Sequence, residues 1–407
     1  MRARMFFRLV RYECRKAFLN PGMLIFFAAL LLFNGWKIGD NYSQKVERWA
    51  DYQTQYEETY AQYVGTITPE KIRSLKTIYD PLKIKHDNHT ISYEYDPNAY
   101  IYSEAMDEEF YRTLFYTELE YDYLYQNEAY RIRENALELA EFYDDLDNSF
   151  EAAKNRQIAA DFTSRSIPAF ADTRGYEVLL SYDYSAMLIL LLSVFALCGV
   201  FVTERETDMY MLLRTTKNGA GSTVAAKLTA SLLFVVITCA VFFGQDFLAI
   251  YFASPRNTAL QSPIYALRAF ESTHMTMSVG QYFLWAAAMK SLGVFACCTA
   301  VLLISSLFKQ TLGAFFTGVA LLLGLTALQE FSGGKLALRW FDPIELVMFR
   351  ELVYRDTFVN LLGIPVRLHI FVTAGVVIVT AAMIGVILYL NRSYHYRARR
   401  RGGNVSV

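Results

Sequence analysis

Six stretches of this chain carry so few charges that hydrocarbon suits them better than water. They are residues 23–39, 183–203, 223–253, 281–308, 311–328 and 370–391. A helix rises about 1.5 Å per residue, so roughly 20 apolar residues cross a hydrocarbon layer roughly 30 Å thick. In lipid an unpaired backbone amide has no water to bond. Each crossing is therefore predicted to be an α-helix. Apolar residues make up 54% of the chain and charged ones 19%, a balance that does not suit a large soluble protein with six buried helices. The predicted class is an all-α integral membrane protein with six transmembrane helices.

The net charge of -1 hides an asymmetry. Residues 40–180 hold about 28 acids and 14 bases, while the rest of the chain is correspondingly basic. The bases flank the apolar runs: Arg2, Arg4, Arg8, Arg11, Arg15 and Lys16 before the first, and Arg392, Arg397, Arg399, Arg400 and Arg401 after the last. Cytoplasmic flanks collect Lys and Arg, so both termini are expected in the cytoplasm of a multi-pass cell-membrane protein. That orientation makes 40–182 a large external domain, 204–222 a cytoplasmic loop, 329–369 an external segment and 392–407 a basic cytoplasmic tail. The five cysteines, Cys14, Cys198, Cys239, Cys297 and Cys298, avoid the external block and have no metal-ligand spacing.

Residues 1–22 read as an amphipathic interfacial helix. Arg4, Arg8, Arg11 and Arg15 share one stripe beside an apolar arc of Phe6, Phe7, Val10, Cys14 and Phe18. Asn20-Pro21-Gly22 then turns the chain into the first span, which lacks a cleavage site and is expected to remain. The external block reads as mostly helical: 43–64, a start at Thr68-Pro69-Glu70, loop or short strand over 80–98, and one or two long helices over 103–162. Tyr116, Tyr123 and Tyr130 recur at helical spacing and predict a packing seam. Ile344–Leu362 predicts a short amphipathic helix in the last external segment.

The connector after the second run is polar and of mixed charge. It reads Glu204-Arg205-Glu206, then Leu212-Leu213-Arg214-Thr215-Thr216-Lys217-Asn218-Gly219, with Lys227 beyond. This order resembles the loop between the second and third spans of ABC type-2 exporter permeases. Two positions depart from that pattern: Asp208 stands where Gly is usual, and Ala220 where Arg is usual. The resemblance extends to the whole architecture of N-terminal elbow helix, first span, external domain and five further spans. It implies a permease subunit that exports a peptide, lipid-like or drug-like amphipathic substrate. Two such subunits, identical or related, would enclose the pathway, and separate ABC ATPase subunits would carry ATP and magnesium. Glu204, Arg205 and Glu206 would then meet the ATPase, and reversing Glu204 and Glu206 should leave the protein folded. Arg214, Lys217 and Gly219 would hold the loop, with Lys227 reaching the membrane surface from the third span.

No cofactor or enzymatic constellation is expected in this chain itself. Gly-x-x-x-x-Gly-Lys-Ser/Thr does not occur. Gly219-Ala220-Gly221-Ser222-Thr223 lacks the lysine, and Phe331-Ser332-Gly333-Gly334-Lys335 resembles an ATPase signature without the phosphate loop it needs. His86-x-x-His89 has no third ligand. Nothing points to nucleic acid; the bilayer is the implied surroundings. Two charges fall inside spans, Asp246 and Lys290, at matched depth from the outer side, and a structural ion pair between them is expected. A polar lining of the substrate route is the sharper reading of the same two residues. The alternative to a transporter is a non-transporting membrane sensor whose helical external domain binds a ligand and signals through the same loop.

Overall fold

In the computed structural model, residues 2–209, 219–254, 257–331, 337–354 and 357–402 are described. Among the described residues six helices are long and apolar enough to cross a membrane: Pro21–Val46, Arg174–Glu206, Gly221–Ala253, Val279–Leu307, Thr311–Gln329 and Leu368–Asn391. The protein is a multi-pass, all-helical membrane protein. Consecutive spans run in opposite directions, so one side of the bundle gathers the N-terminal helix and the connector after Glu206; this is the basic side. The opposite, domain side carries residues 47–173. The second, third and fourth spans form the centre, half or more covered by protein. The first and fifth are covered along only 17% and 11% of their apolar windows. Ile25, Leu32 and Trp36 on the one and Leu312, Phe316 and Leu323 on the other are exposed.

Before the first span, Arg2–Ala17 form a helix. Its apolar side packs along the third span, burying Val10 and stacking Phe18 on Phe234 with ring centroids 4.4 Å apart. Asn20 ends it and starts the next helix, its side chain accepting from the Met23 amide at 2.9 Å, with Pro21 at the first helical position. The second span is a chain of three helices, Arg174–Ser181, Tyr184–Leu197 and Gly199–Glu206. The break at Cys198 is stitched by Ser305 of the fourth span. Its hydroxyl donates to the Cys198 carbonyl at 2.8 Å and accepts from the Phe201 amide at 3.1 Å.

On the domain side, the first helix continues through the 3-10 turn Glu47–Tyr52 into Gln53–Tyr63, followed by Pro69–Asp87. Pro81 lies inside that last helix, where a loop was expected from 80 onward. Pro81 and Thr77 are both exposed, so water can meet the Thr77 carbonyl that proline leaves unbonded. Glu104–Tyr111, a π turn over Arg112–Tyr116 and Thr117–Asp145 form one long rod, which Ser149–Asp161 packs against. Aromatic rings fill the core, among them Trp49, Tyr56, Tyr60, Phe110 and Phe115. Gly65–Thr66 pairs antiparallel with Ala169–Phe170 and closes the domain where it rejoins the spans. The tyrosine seam lies elsewhere than expected. Tyr123 is 41% exposed and Tyr130 61%, because the rod buries the adjoining stripe of Leu119, Asp122, Tyr125 and Ala129.

That buried stripe docks on the connector between the third and fourth spans. Tyr121 donates to the Tyr265 carbonyl at 2.8 Å, Tyr125 stacks on Tyr265, and Arg268 donates to the Thr117 carbonyl at 2.9 Å. The buried Arg165 clamps the same connector, donating to the Thr273 carbonyl at 2.6 Å and the His274 carbonyl at 2.8 Å. The last connector corrects a further expectation. Instead of one amphipathic helix over 344–362 it holds two single turns, Ile344–Val347 and Glu351–Tyr354, and a hairpin pairing Phe358–Leu361 with Ile364–Arg367. Leu362 (φ 53°) and Gly363 (φ 90°) form its turn.

Asp122 lies in the docked stripe, buried and without a hydrogen bond or ion pair to a described residue. Burial pushes its carboxyl up to about 8, the charge of Glu118 adding and that of Arg268 opposing. The folded protein therefore keeps a proton that the unfolded chain gives up near pH ~4. The contribution of Asp122 to stability is therefore fully present below that value and is lost as pH rises toward 8. Thermal unfolding of the purified protein across this range should show the slope, and Asp122→Asn should flatten it; an unchanged slope in the variant would refute the assignment.

Candidate functional site

The last turns of the second span, Gly199–Glu206, hold the three acidic and basic residues singled out in the connector, and all three turn toward this chain itself. Glu204 is 8% exposed. Its carboxylate lies 2.8 Å from the Lys227 ammonium and 3.3 Å from that of Lys16. Lys227 is 1% exposed. It also donates to the Val200 carbonyl and lies 5.2 Å from the Phe201 ring centroid. One carboxylate thus joins the N-terminal helix, the second span and the base of the third. Glu13 of the N-terminal helix, 6% exposed, lies beside the same two lysines.

The next two residues reach the other way. Arg205 donates to the Phe308 carbonyl at 3.0 Å, at the end of the fourth span. Glu206 accepts from the Thr311 amide at 2.6 Å and its hydroxyl at 2.8 Å, capping the first turn of the fifth span with a negative charge. This turn therefore grips four other elements. Asp208 follows with φ 53°, a left-handed backbone. Glycine adopts such a backbone most freely, and aspartate tolerates it better than most residues. Arg214 and Lys217 lie outside the described residues, and Gly219 begins the third-span helix.

The geometry corrects the direct-contact reading of Glu204, which is buried among intramolecular partners rather than presented to a partner chain. Lys227 likewise points into protein, where Glu204 and the Val200 carbonyl receive its ammonium. Sequence reasoning missed Glu13, Lys16 and Ser305. Glu13 carried a signal: it is a lone acid in a helix otherwise rich in arginine.

On the domain side Asp246 and Lys290 take different partners. Asp246, 3% exposed, accepts from Asn34 of the first span at 2.7 Å. Lys290 lies 2.7 Å from Asp183 and donates to the Tyr182 carbonyl at 3.3 Å. Asp183 also meets Arg350 at 3.3 Å. The expected direct pair is replaced because Asp183 sits at the break within the second span and reaches the lysine first. Asp246 and Lys290 still line one small cavity, with Tyr182, Tyr282 and Arg350.

A family model described as ABC-2 family transporter protein matches residues 23–390, nearly the whole chain. The chain belongs to the ABC-2 family. It is a membrane permease of the ABC-transporter type, a transport component and not itself a catalyst. No curated protein matches it. Within this ABC-2 permease the grip of Gly199–Glu206 occupies the start of the connector between the second and third spans.

Reversing Glu204 should therefore not be tolerated. Glu204→Lys would set a third ammonium beside Lys16 and the buried Lys227, and breaking a buried pair costs about 3–5 kcal/mol. Glu206→Lys removes only an exposed cap and should cost far less. Melting curves of the two variants should differ accordingly, and equal melting temperatures would contradict the assignment.

Proposed function

We propose that this chain is the membrane subunit of an ABC exporter, driven by ATP that separate ATPase subunits hydrolyse. The observation that carries this reading is the grip of Gly199–Glu206. Glu204, Arg205 and Glu206 bind the N-terminal helix and the third, fourth and fifth spans at one place, at the head of the connector that an ATPase would press. A displacement applied there moves the bundle as a whole. In this reading the termini and that connector are cytoplasmic, and the N-terminal helix lies at the inner membrane surface. Arg214, Lys217 and Gly219 belong to the surface that receives the ATPase. The free faces of the first and fifth spans meet lipid and a second permease subunit.

The domain side faces outward in this reading. Its excess of carboxylates and its exposed rings, such as Tyr93, Tyr95, Tyr130 and Phe142, suit an amphipathic substrate, whether peptide, lipid-like or drug-like. The cavity between Asp246 and Lys290 belongs to the polar part of the route. Arg165 and the Tyr121–Tyr265 contact fasten the domain to the third and fourth spans, so its movement would follow theirs. A sensor without transport would use the same fastening in reverse, from domain to connector.

Purification of the chain from its own host should bring down an ABC ATPase, and proteoliposomes of the complex should show ATP-dependent substrate movement. Saturable ATP binding by the isolated chain would contradict the division of labour. Substrate binding at the domain without ATP-dependent flux would favour the sensor.

A further inference from the structure

Glu13 poses a question that the grip itself does not answer. A carboxylate buried without a partner costs free energy, and this one lies on an amphipathic helix whose polar stripe could have carried it to water. It makes no hydrogen bond or ion pair with any described residue. Its charged neighbours are Lys16 on its own helix, Lys227 on the third span and Glu204 on the second. Lys227, almost wholly buried, holds Glu204 at 2.8 Å. Two carboxylates therefore feel the charge of one buried ammonium, and among the described residues only Glu204 pairs with it.

We propose that Glu13 is the alternative counter-ion of Lys227, taking over its ammonium when Glu204 is drawn away with the connector that follows it. The proposal rests on the exporter reading for the force that moves Glu204, but the pairing itself is a property of this chain. Lys227 cannot be left alone in the protein interior, since an unpaired buried charge costs several kcal/mol. A second acid at hand lowers the barrier to moving the first. The bundle then has two discrete arrangements, with Lys227 on the second span or on the N-terminal helix, in place of a continuous stretch. Burial raises the Glu13 carboxyl above its ordinary value, and the Glu204 charge adds to this while Lys227 and Lys16 oppose it. Taking over Lys227 would favour the ionised form of Glu13 further.

The pairing is tested on the purified permease by a double-mutant cycle of melting temperatures. Glu13→Gln alone should change little, because in this arrangement the carboxylate has no hydrogen-bond or ion-pair partner among the described residues. Glu204→Gln alone should fold with a moderate loss, because Glu13 steps in. The double variant should lose at least twice the sum of the single losses, or fail to fold while both singles fold. Glu13→Asp in the Glu204→Gln background should recover part of that loss. The single Glu204→Gln protein should also lose stability on acidification as Glu13 protonates, a dependence absent from the double variant. Additive losses, a Glu204→Gln protein that does not fold, or an acid response untouched by removing Glu13 would each overturn the proposal. None of these readouts needs ATP or substrate. Failure of the exporter reading would appear separately, as absent ATP-dependent flux in the wild-type complex.

Discussion

A lysine buried in a membrane helix dictates its surroundings. Lys227 is 1% exposed, and at that burial an ammonium must have an acid within hydrogen-bond reach. Glu204 supplies it at 2.8 Å, and Lys16 shares the same carboxylate. The N-terminal helix, the end of the second span and the base of the third are consequently held in one geometry. Arg205 and Glu206 extend the hold to the fourth and fifth spans through a backbone carbonyl and a helix N-terminus. Apolar packing alone between lipid-exposed helices lets them slide and rotate with little penalty. A charge pair of this kind has a definite length and direction, so it selects one arrangement among many similar ones.

The domain side uses a second polar layer of similar design. Asn34 and Asp246 join the first and third spans, while Asp183 collects Lys290 from the fourth and Arg350 from the last connector. The domain is then fastened to the third–fourth connector by Arg165, Tyr121 and Tyr125. The two polar layers lie at opposite ends of the same three central helices. A shift of the second span at the Glu204 end is therefore felt by Asp183 at the other, since both residues belong to that span.

The sequence made the spans and the N-terminal helix legible because both follow from periodicity and length, which lipid enforces. What escaped notice depended on tertiary context. Tyr123 and Tyr130 have the same spacing as a seam, but only the docked connector decides which face of the rod is buried. Leu362 at φ 53° is unusual chemistry for a hairpin turn, so the strand before it, Phe358–Leu361, read as the end of a helix. Asp183 was counted as the edge of a span, and its claim on Lys290 needed three dimensions. Glu204 read as exposed because connector charges usually are; the two lysines that bury it come from 188 residues before and from the next helix.

The central claim is that the Glu204 end of the second span separates from the N-terminal helix when force is applied to the connector. Spin labels at Tyr12 and Thr203, both exposed and close to Glu13 and Glu204 in sequence, read that separation directly in the complete complex. Pulsed dipolar distances should be short and narrow without nucleotide, and a second, longer population should appear when ATP is trapped on the ATPase subunits. One unchanged distance distribution in both states, in a complex shown to hydrolyse ATP, would contradict the account.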